Sequence, residues 1–271
     1  MKKRKHVCKR IVAFATAMML GLSLVACGGK KDEGVLSKKK TDYTLSEYLA
    51  RGDMQIWYES YDGISKDASY RAYIFKDGKC AHIDSSITQI SKYPTIGDVA
   101  QATDEEIYNA YLEAYKEYVE QEKQDYEEKI EETGGDSTDY QHNYDIVSNI
   151  DTSDFPYYKY VLLIDTDETG NVTQNEIVAN YEDYCFSVGS LGGSREKYVG
   201  TIYGVTSKQG QIYDSLYAGL KEGDSTVFYT RVDNDQITIR LDQPGAEGVI
   251  VDDHDEMRDK LFELNGVEKD W

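Results

Sequence analysis

The sequence predicts an α+β fold, in which antiparallel sheet packs against one long amphipathic helix and several short helices. Short runs rich in Val, Ile, Tyr and Thr, separated by Gly, Asn and Asp turns, indicate antiparallel strands. Residues 104–133 instead place Tyr, Leu and Val at three- and four-residue steps, the period of a helix with one buried face. Residues 43–271 are long enough to bury a core as a single domain.

The first 26 residues have the three parts of an export signal. Six basic residues and no acid precede an apolar stretch over residues 11–23, and small Ala26 stands before Cys27. That stretch is about half of the ~20 apolar residues that a membrane span needs. Residues 24–27, Leu-Val-Ala-Cys, resemble the lipobox of bacterial lipoproteins, which implies cleavage and a diacylglycerol on the Cys27 thiol. The alternative is an uncleaved anchor helix.

Residues 27–42 are predicted to be a flexible tether, because they consist mainly of Gly, Lys, Ser and Asp. The domain then begins at Tyr43. Residues 44–47 (Thr-Leu-Ser-Glu) have the spacing of a capped helical turn, and residues 54–59 are predicted to form a strand.

Residues 70–83 are predicted to form a β-hairpin. Asp77-Gly78 lies between two β-rich runs, and these residue types tolerate the positive φ angles that a tight hairpin turn demands. Residues 95–102 are predicted to form a short helix.

A capping box from Thr103 to Glu106 marks the start of the long helix, and Gly134-Gly135 marks its end near Thr133. Glu122 interrupts the apolar stripe, and the acidic half that follows is expected to project into solvent. The stripe favours core packing, although exposed Tyr could also stack on sugars or contact a partner. Its members are Tyr108, Tyr111, Leu112, Tyr115, Val119, Tyr126 and Ile130.

Residues 134–153 are polar and acidic and are expected to be a mobile loop. Strands then dominate the chain, with a short strand expected at residues 249–251 and a helix at residues 254–264. The longer predicted strands span residues 158–165, 176–180, 185–188, 198–205, 226–232 and 236–241.

The charge of the chain excludes nucleic acid as a partner. The whole sequence has 30 basic and 50 acidic residues. Loss of the six bases of the signal peptide leaves 24 against 50, a net charge of −26. Such a protein repels nucleic acids and anionic lipid headgroups and favours cations and basic partners.

Two cysteines besides Cys27, Cys80 and Cys185, belong to the mature chain. Both lie in β-like segments, and disulfides are permitted outside the cytoplasm. They could form one bridge or remain two buried thiols, and the sequence leaves both alternatives open. No CxxC or zinc-type Cys/His spacing is present.

Residues 165–176 resemble the calcium loop of the EF-hand. The spacing places a turn glycine at the sixth position and a carboxylate at the twelfth. No other cofactor is indicated. A β-like segment precedes the loop where an EF-hand has a helix, so the alternative is a strand–turn–strand with solvated acids. The oxygen ligands of Ca²⁺ would come from Asp165, Asp167, Thr169, Asn171 and Glu176.

Other motif-like segments favour structural roles. Residues 252–256 (Asp-Asp-His-Asp-Glu) could bind a metal, but acids are also favoured at a helix N-terminus. Ser194 and Lys197 have SxxK spacing without the elements that accompany it in β-lactamases, and residues 189–194 are a glycine-rich loop. Neither GxSxG nor HExxH occurs.

Residues 44–48, 56–58 and 167–171 resemble segments of uncharacterised Gram-positive surface lipoproteins, a resemblance that implies no activity. The leading hypothesis is a non-enzymatic binding or accessory module, lipid-anchored in the cell membrane and facing outside the cytoplasm. Its expected partners are the membrane, through the anchor, and a cell-wall or surface protein or carbohydrate. The alternatives are an extracellular hydrolase acting on a cell-wall or dietary polymer and a solute-binding protein of a transporter.

Overall fold

The structure, a computed structural model, describes residues 40–135, 138–183 and 197–267. These residues contain twelve strands and six helices, which confirms the predicted α+β class. The strands are β1 (Asp42–Thr44), β2 (Gln55–Ser60), β3 (Arg71–Lys76), β4 (Lys79–Ile83), β5 (Tyr160–Thr166), β6 (Thr173–Asp183), β7 (Lys197–Gly204), β8 (Thr206–Ile212), β9 (Ser215–Glu222), β10 (Thr226–Val232), β11 (Thr238–Arg240) and β12 (Val249–Val251). The helices are α1 (Leu45–Leu49), α2 (Ser85–Ile90), α3 (Ile96–Val99), α4 (Asp104–Glu132), α5 (Thr138–Ser148) and α6 (His254–Asn265).

The described strands form three sheets. The largest has six strands in the order β4-β3-β2-β10-β9-β8, and every neighbouring pair in it is antiparallel. The second has four strands in the order β12-β5-β6-β7. Two short pairs, β12 with β5 and β1 with β11, are parallel, and each joins segments that are distant in the sequence.

The sheets and helices pack in four layers. Side chains alternate between the two faces of a strand, so neighbours on β2 enter different cores. Tyr58 packs with the helices that include α4, whereas Trp57 packs between the six-stranded and four-stranded sheets. The outer face of the four-stranded sheet is covered by α6 through residues such as Leu261.

The predicted hairpin is confirmed as β3 and β4. Asp77 and Gly78 have φ angles of 52° and 68°, as a two-residue turn with a positive φ at both positions requires. Cys80 lies on β4, where it is buried.

The long helix begins at the predicted capping box. The Thr103 hydroxyl accepts a hydrogen bond from the Glu106 N–H, and the Glu106 side chain accepts one from the Thr103 N–H. Tyr111, Tyr115 and Val119 of the predicted stripe are buried against the sheet and the short helices. The expected core packing of the first half is therefore confirmed.

The expectation of a mobile loop at residues 134–153 is wrong, because residues 138–148 form α5. This helix packs along the second half of α4, where the Tyr144 hydroxyl donates to the Glu127 carboxylate at 2.8 Å. Only Val147 of α5 is fully buried, so its sequence lacks the apolar period that predicts a helix. Glu122 is buried too, and burial raises the pKa of its carboxyl.

Strands β8 and β9 have no counterpart among the strands predicted from the sequence. Strand β8 forms one edge of the six-stranded sheet, and most of its side chains are exposed, which removes the alternation of a half-buried strand. At Gly219, β9 lies so close to β10 that a Cβ there would be 2.1 Å from the Phe228 carbonyl oxygen. This glycine weakens the strand signal and is also required by the packing.

The fold begins slightly before the predicted boundary, since Asp42 is the first residue of β1. Lys40, assigned to the tether from the sequence, donates to the Glu47 carboxylate at 2.8 Å. The signal peptide, Cys27 and the rest of the tether lie outside the described residues. Within those residues, none of the helices combines the length and the apolar character needed to cross a membrane.

Candidate functional site

The calcium-loop residues form the tip of the β5–β6 hairpin, as in the strand–turn–strand alternative. Asp167 organises this tip, because its carboxylate accepts hydrogen bonds from the Thr169 hydroxyl at 2.8 Å and from the Asn171 N–H at 3.1 Å. These bonds keep the Asp167 carboxylate charged and lower its pKa. The turn therefore satisfies its own backbone donors.

The structure does not bring the five predicted calcium ligands together. Asp165 pairs with Asn175 across the hairpin, and Ile164 pairs with Glu176, so Asp165 and Glu176 point to opposite faces of the sheet. No three His, Cys, Asp or Glu side chains within the described ranges are grouped so as to hold a metal ion. The five residues are therefore not arranged as an EF-hand ligand set, and calcium binding by residues 165–176 stays an untested prediction.

The acid–histidine run at residues 252–256 stabilises the start of α6. Asp253 caps this helix by accepting from the Glu256 N–H at 2.8 Å. Asp252 accepts from the Thr166 N–H at 2.6 Å, and His254 Nε2 lies 2.8 Å from an Asp165 carboxylate oxygen. The run thus joins α6 to the β5–β6 hairpin, which confirms the capping interpretation.

Several other predicted sites fall wholly or partly on residues that the structure does not describe. Cys185 lies outside the described ranges, so its bridge to buried Cys80 stays a prediction. The same holds for lipidation of Cys27 and for the SxxK serine, Ser194.

A surface groove with a volume of about 540 Å³ lies beside the β1–β11 ribbon. Strand β1 and the first turn of α1 line one part of it, and the β7–β8 connection and the residues around the end of β11 line the rest. Parts of the chain that are about 200 positions apart in sequence meet here. The lining residues are Asp42, Tyr43, Thr44, Glu47, Val205, Thr206, Ser207, Arg240, Leu241 and Gln243.

The charged side chains of the groove are held in ion pairs. Arg240 donates to the Asp42 carboxylate across the parallel ribbon, and Glu47 accepts from Lys40 Nζ and from the Thr44 N–H. The hydrogen bond from Lys40 is the largest cause of the lowered pKa of Glu47, followed by that from Thr44. The groove therefore presents paired, partly exposed hydrogen-bonding groups with little net charge.

Tyr43 is the aromatic residue of the groove, and its position is fixed. Its hydroxyl donates to the Lys40 carbonyl oxygen at 2.9 Å, and its ring meets that of Tyr48 edge-on at 5.4 Å. The cations of Lys40 and Arg51 lie 5.1 and 5.7 Å from the ring centroid, within the range of a cation–π interaction.

Beneath the groove, Asp242 joins three separate parts of the fold. Its carboxylate accepts from the Ser46 N–H at 2.8 Å and from the Ser46 hydroxyl at 2.6 Å, which fixes the first turn of α1. Its own N–H donates to Glu176 Oε2 at 2.8 Å, and its carbonyl oxygen accepts from the Thr173 hydroxyl at 2.6 Å, both on β6. Asp242 and Glu176 are each only 1% exposed.

The surroundings of the Glu176 carboxyl favour its neutral form. Burial is the main cause that raises its pKa, to about 9, and the neighbouring Asp242 carboxylate raises it further through a hydrogen bond and its charge. Two carboxyl groups can share a hydrogen bond only if one of them is protonated. No donor from the described residues reaches the buried Glu176 Oε1, so an ionised carboxylate would leave this oxygen unsatisfied.

Sequence reasoning identified Glu176 as a site residue but assigned it to calcium, and it did not find the groove. Asp242 and Ser46 are 196 positions apart, and Asp242 lies in no motif. Only the capping pattern at residues 44–47, which is confirmed, pointed to this region.

Comparison of the sequence with models of known families, with curated proteins and with solved structures finds no match. The groove is therefore the feature of the described residues that indicates a function.

Proposed function

We propose that this protein is a non-enzymatic carbohydrate-binding module, held at the outer face of the cell membrane by a lipid on Cys27, and that the groove beside β1 and β11 is its ligand site. The observation that carries the proposal is the array of pre-positioned polar groups in that groove. Asp42 pairs with Arg240, and Glu47 pairs with Lys40 and the Thr44 N–H, so these groups lie side by side on one surface before any ligand arrives.

The pairing of charges in the groove favours a neutral polar ligand. Arg240 is neutralised by Asp42 and Glu47 by Lys40, yet each group keeps further hydrogen-bonding capacity. The hydroxyls of a sugar can donate to the carboxylates and accept from the guanidinium. The predicted charge of −26 on the mature chain would in addition repel a polyanion. A cell-wall or cell-surface glycan fits these conditions, and a surface protein is the competing partner.

The state of the carboxyl groups favours binding over glycoside hydrolysis. A hydrolase of that kind needs one carboxyl with a raised pKa in contact with substrate to act as the general acid. In the groove, Glu47 has a lowered pKa and is fully ionised. Glu176 has the raised pKa but is buried against Asp242.

A solute-binding protein of a transporter is also less well supported. Such proteins are built from two lobes of alternating strands and helices around parallel sheet. Here the six-stranded sheet is wholly antiparallel, and the described residues from Lys40 onward form one compact unit.

The ligand proposal is tested by calorimetric titration of the purified domain with oligosaccharide fragments of cell wall and with neutral plant and host glycans. We expect at least one neutral oligosaccharide to bind and the variant Arg240→Gln to lose most of that affinity. The matched control is Arg258→Gln, which breaks an ion pair with Asp255 on α6, outside the groove. Absence of binding to every glycan, or equal binding by the Arg240→Gln variant, would contradict the proposal.

The anchor is tested separately, by mass spectrometry of the N-terminal peptide from membranes of cells that make the full chain. We expect a peptide beginning at a diacylglyceryl-modified Cys27, and release of the Cys27→Ser variant from the membrane fraction. An unmodified peptide containing Met1 would show that the lipid anchor is wrong, whatever the groove binds.

A further inference from the structure

We propose that Glu176 and Asp242 are a positioning pair that shares one proton. Through Ser46 the pair fixes the first turn of α1, which forms one side of the groove and is called the α1 wall below. This wall therefore opens more readily as pH rises. The inference deepens the proposed function by adding regulation to the same site. Its relevance to ligand binding rests on that function, but the proton and its effect on α1 can be measured without any ligand.

The pair lies where the two walls of the groove meet. Asp242 stands between Leu241 and Gln243, which line the groove on one side. Ser46 stands between Thr44 and Glu47, which line it on the other, and both Ser46 donors end on the Asp242 carboxylate. These two hydrogen bonds fix the exposed first turn of α1, whereas buried Leu45 and Leu49 anchor its other face.

In the closed state, Ser46 is hydrogen-bonded to Asp242. The groups around Glu176 make its neutral form necessary to this state. Its neighbours on the adjacent strands are Ile164 and Gly204, and neither can carry a compensating charge. The ionisable groups that act on the pair are Asp242 and, from α1, Glu47, which interacts with Asp242. All of these are acids, so ionised Glu176 would face like charges in a buried site.

The pH range of the effect follows from the two states of Glu176. The proposal requires that opening of α1 admits water to the Glu176 carboxyl, so that its pKa returns towards the ordinary value of 4.5 from about 9 in the closed state. Between pH 4.5 and about pH 9, opening of α1 therefore releases one proton from Glu176. The equilibrium constant for opening rises about tenfold for each pH unit in this range. Above about pH 9 both states are ionised and the dependence levels off.

The variant Glu176→Gln is a permanent mimic of the protonated form. Its amide oxygen can still accept from the Asp242 N–H, and its amide nitrogen can donate to the Asp242 carboxylate. It should hold α1 as the protonated acid does, without responding to pH.

The test uses hydrogen exchange of the peptide covering α1, from pH 6 to pH 8, with the intrinsic exchange rate at each pH divided out. We expect the protection of the Ser46 amide in the native sequence to fall about tenfold per pH unit. Protection in the Glu176→Gln variant should not change with pH. The matched control is Glu122→Gln, which removes another buried carboxyl of raised pKa, on α4 away from the groove, and should behave as the native sequence does.

Carbon-13 NMR of the glutamate carboxyl groups supplies the second measurement. We expect one resonance to titrate well above the ordinary range and to disappear in the Glu176→Gln variant. Three results would each overturn the proposed pair. They are protection of the Ser46 amide that does not change with pH in the native sequence, protection that depends equally on pH in Glu176→Gln, and an ordinary pKa for Glu176. Absence of glycan binding would instead contradict only the proposed function.

Discussion

Tyr58 and Tyr229 face each other across β2 and β10 with ring centroids 5.9 Å apart, and neither buried hydroxyl has a hydrogen-bond partner among the described residues. Burial raises the pKa of both phenols well above the ordinary value. A buried polar group without a partner keeps its desolvation cost. The rings of both residues therefore stabilise the core, whereas their hydroxyls do not.

The variant Tyr229→Phe should leave the free energy of unfolding unchanged or raise it by about 1 kcal/mol, because it removes a buried hydroxyl that has no partner. The matched control is Tyr111→Phe on α4. Its hydroxyl lies 2.6 Å from that of Tyr70, and loss of this hydrogen bond should lower the free energy of unfolding by about 1 kcal/mol. Urea denaturation of both variants measures the two effects, and a larger loss for Tyr229→Phe would contradict this account of the core.

The variant Thr103→Ala should lower the free energy of unfolding by about 1 kcal/mol. It removes the hydroxyl that accepts from the Glu106 N–H at 3.2 Å and so leaves a donor of the first turn of α4 unsatisfied. Thr103→Ser keeps the acceptor and should cost much less. Equal losses for the two variants in thermal or urea denaturation would show that the cap contributes little.

The variant Gly219→Ala should prevent normal folding of the six-stranded sheet. The new Cβ would lie 2.1 Å from the Phe228 carbonyl oxygen and 2.5 Å from the Tyr229 Cα, and backbone atoms cannot move aside without breaking the strand pair. Gly210→Ala on neighbouring β8 is the control, since its nearest contact is the Cδ1 at the end of the Ile64 side chain, at 2.8 Å. Circular dichroism and yield of soluble protein should separate the two, and a stable Gly219→Ala protein would contradict the predicted clash.

The free energy of unfolding of the whole domain should also depend on the protonation of Glu176. Its folded-state pKa of about 9 is above its unfolded value of 4.5, so the stabilisation is complete below pH 4.5 and is lost as pH rises to about 9. The difference in the free energy of unfolding between native protein and Glu176→Gln should change by at most about 1.4 kcal/mol per pH unit. Urea denaturation at pH 5, 7 and 9 measures it, and a constant difference would exclude a buried proton at this position.

Local features of the fold could be predicted wherever the signal lies within a few residues. The Asp77-Gly78 turn has the residue types that its positive φ angles require, and the Thr103 capping box satisfies donors three residues away. Helix α5 and strand β8 were missed for the opposite reason. Both have mainly polar, exposed side chains, and each is stabilised by the neighbouring element rather than by its own sequence pattern.

The candidate site was much less predictable than the fold. The acids at residues 165–176 have the spacing of a calcium loop, but strand alternation sends Asp165 and Glu176 to opposite faces. Glu176 instead meets Asp242, a residue 66 positions away. With 50 acidic residues in the chain, no local pattern could single out that pair.

The sequence by itself determined the α+β class, the 70–83 hairpin and the start of the long helix, because hydrophobic period and turn and cap chemistry act over a few residues. It also supplies the lipobox resemblance on which the predicted location depends. Only the tertiary structure decided that β1, α1 and the end of β11 line an open surface groove, and that Glu176 and Asp242 are buried together beneath it. Burial and the approach of Asp242 raise the pKa of Glu176, and both arise only when distant segments pack together.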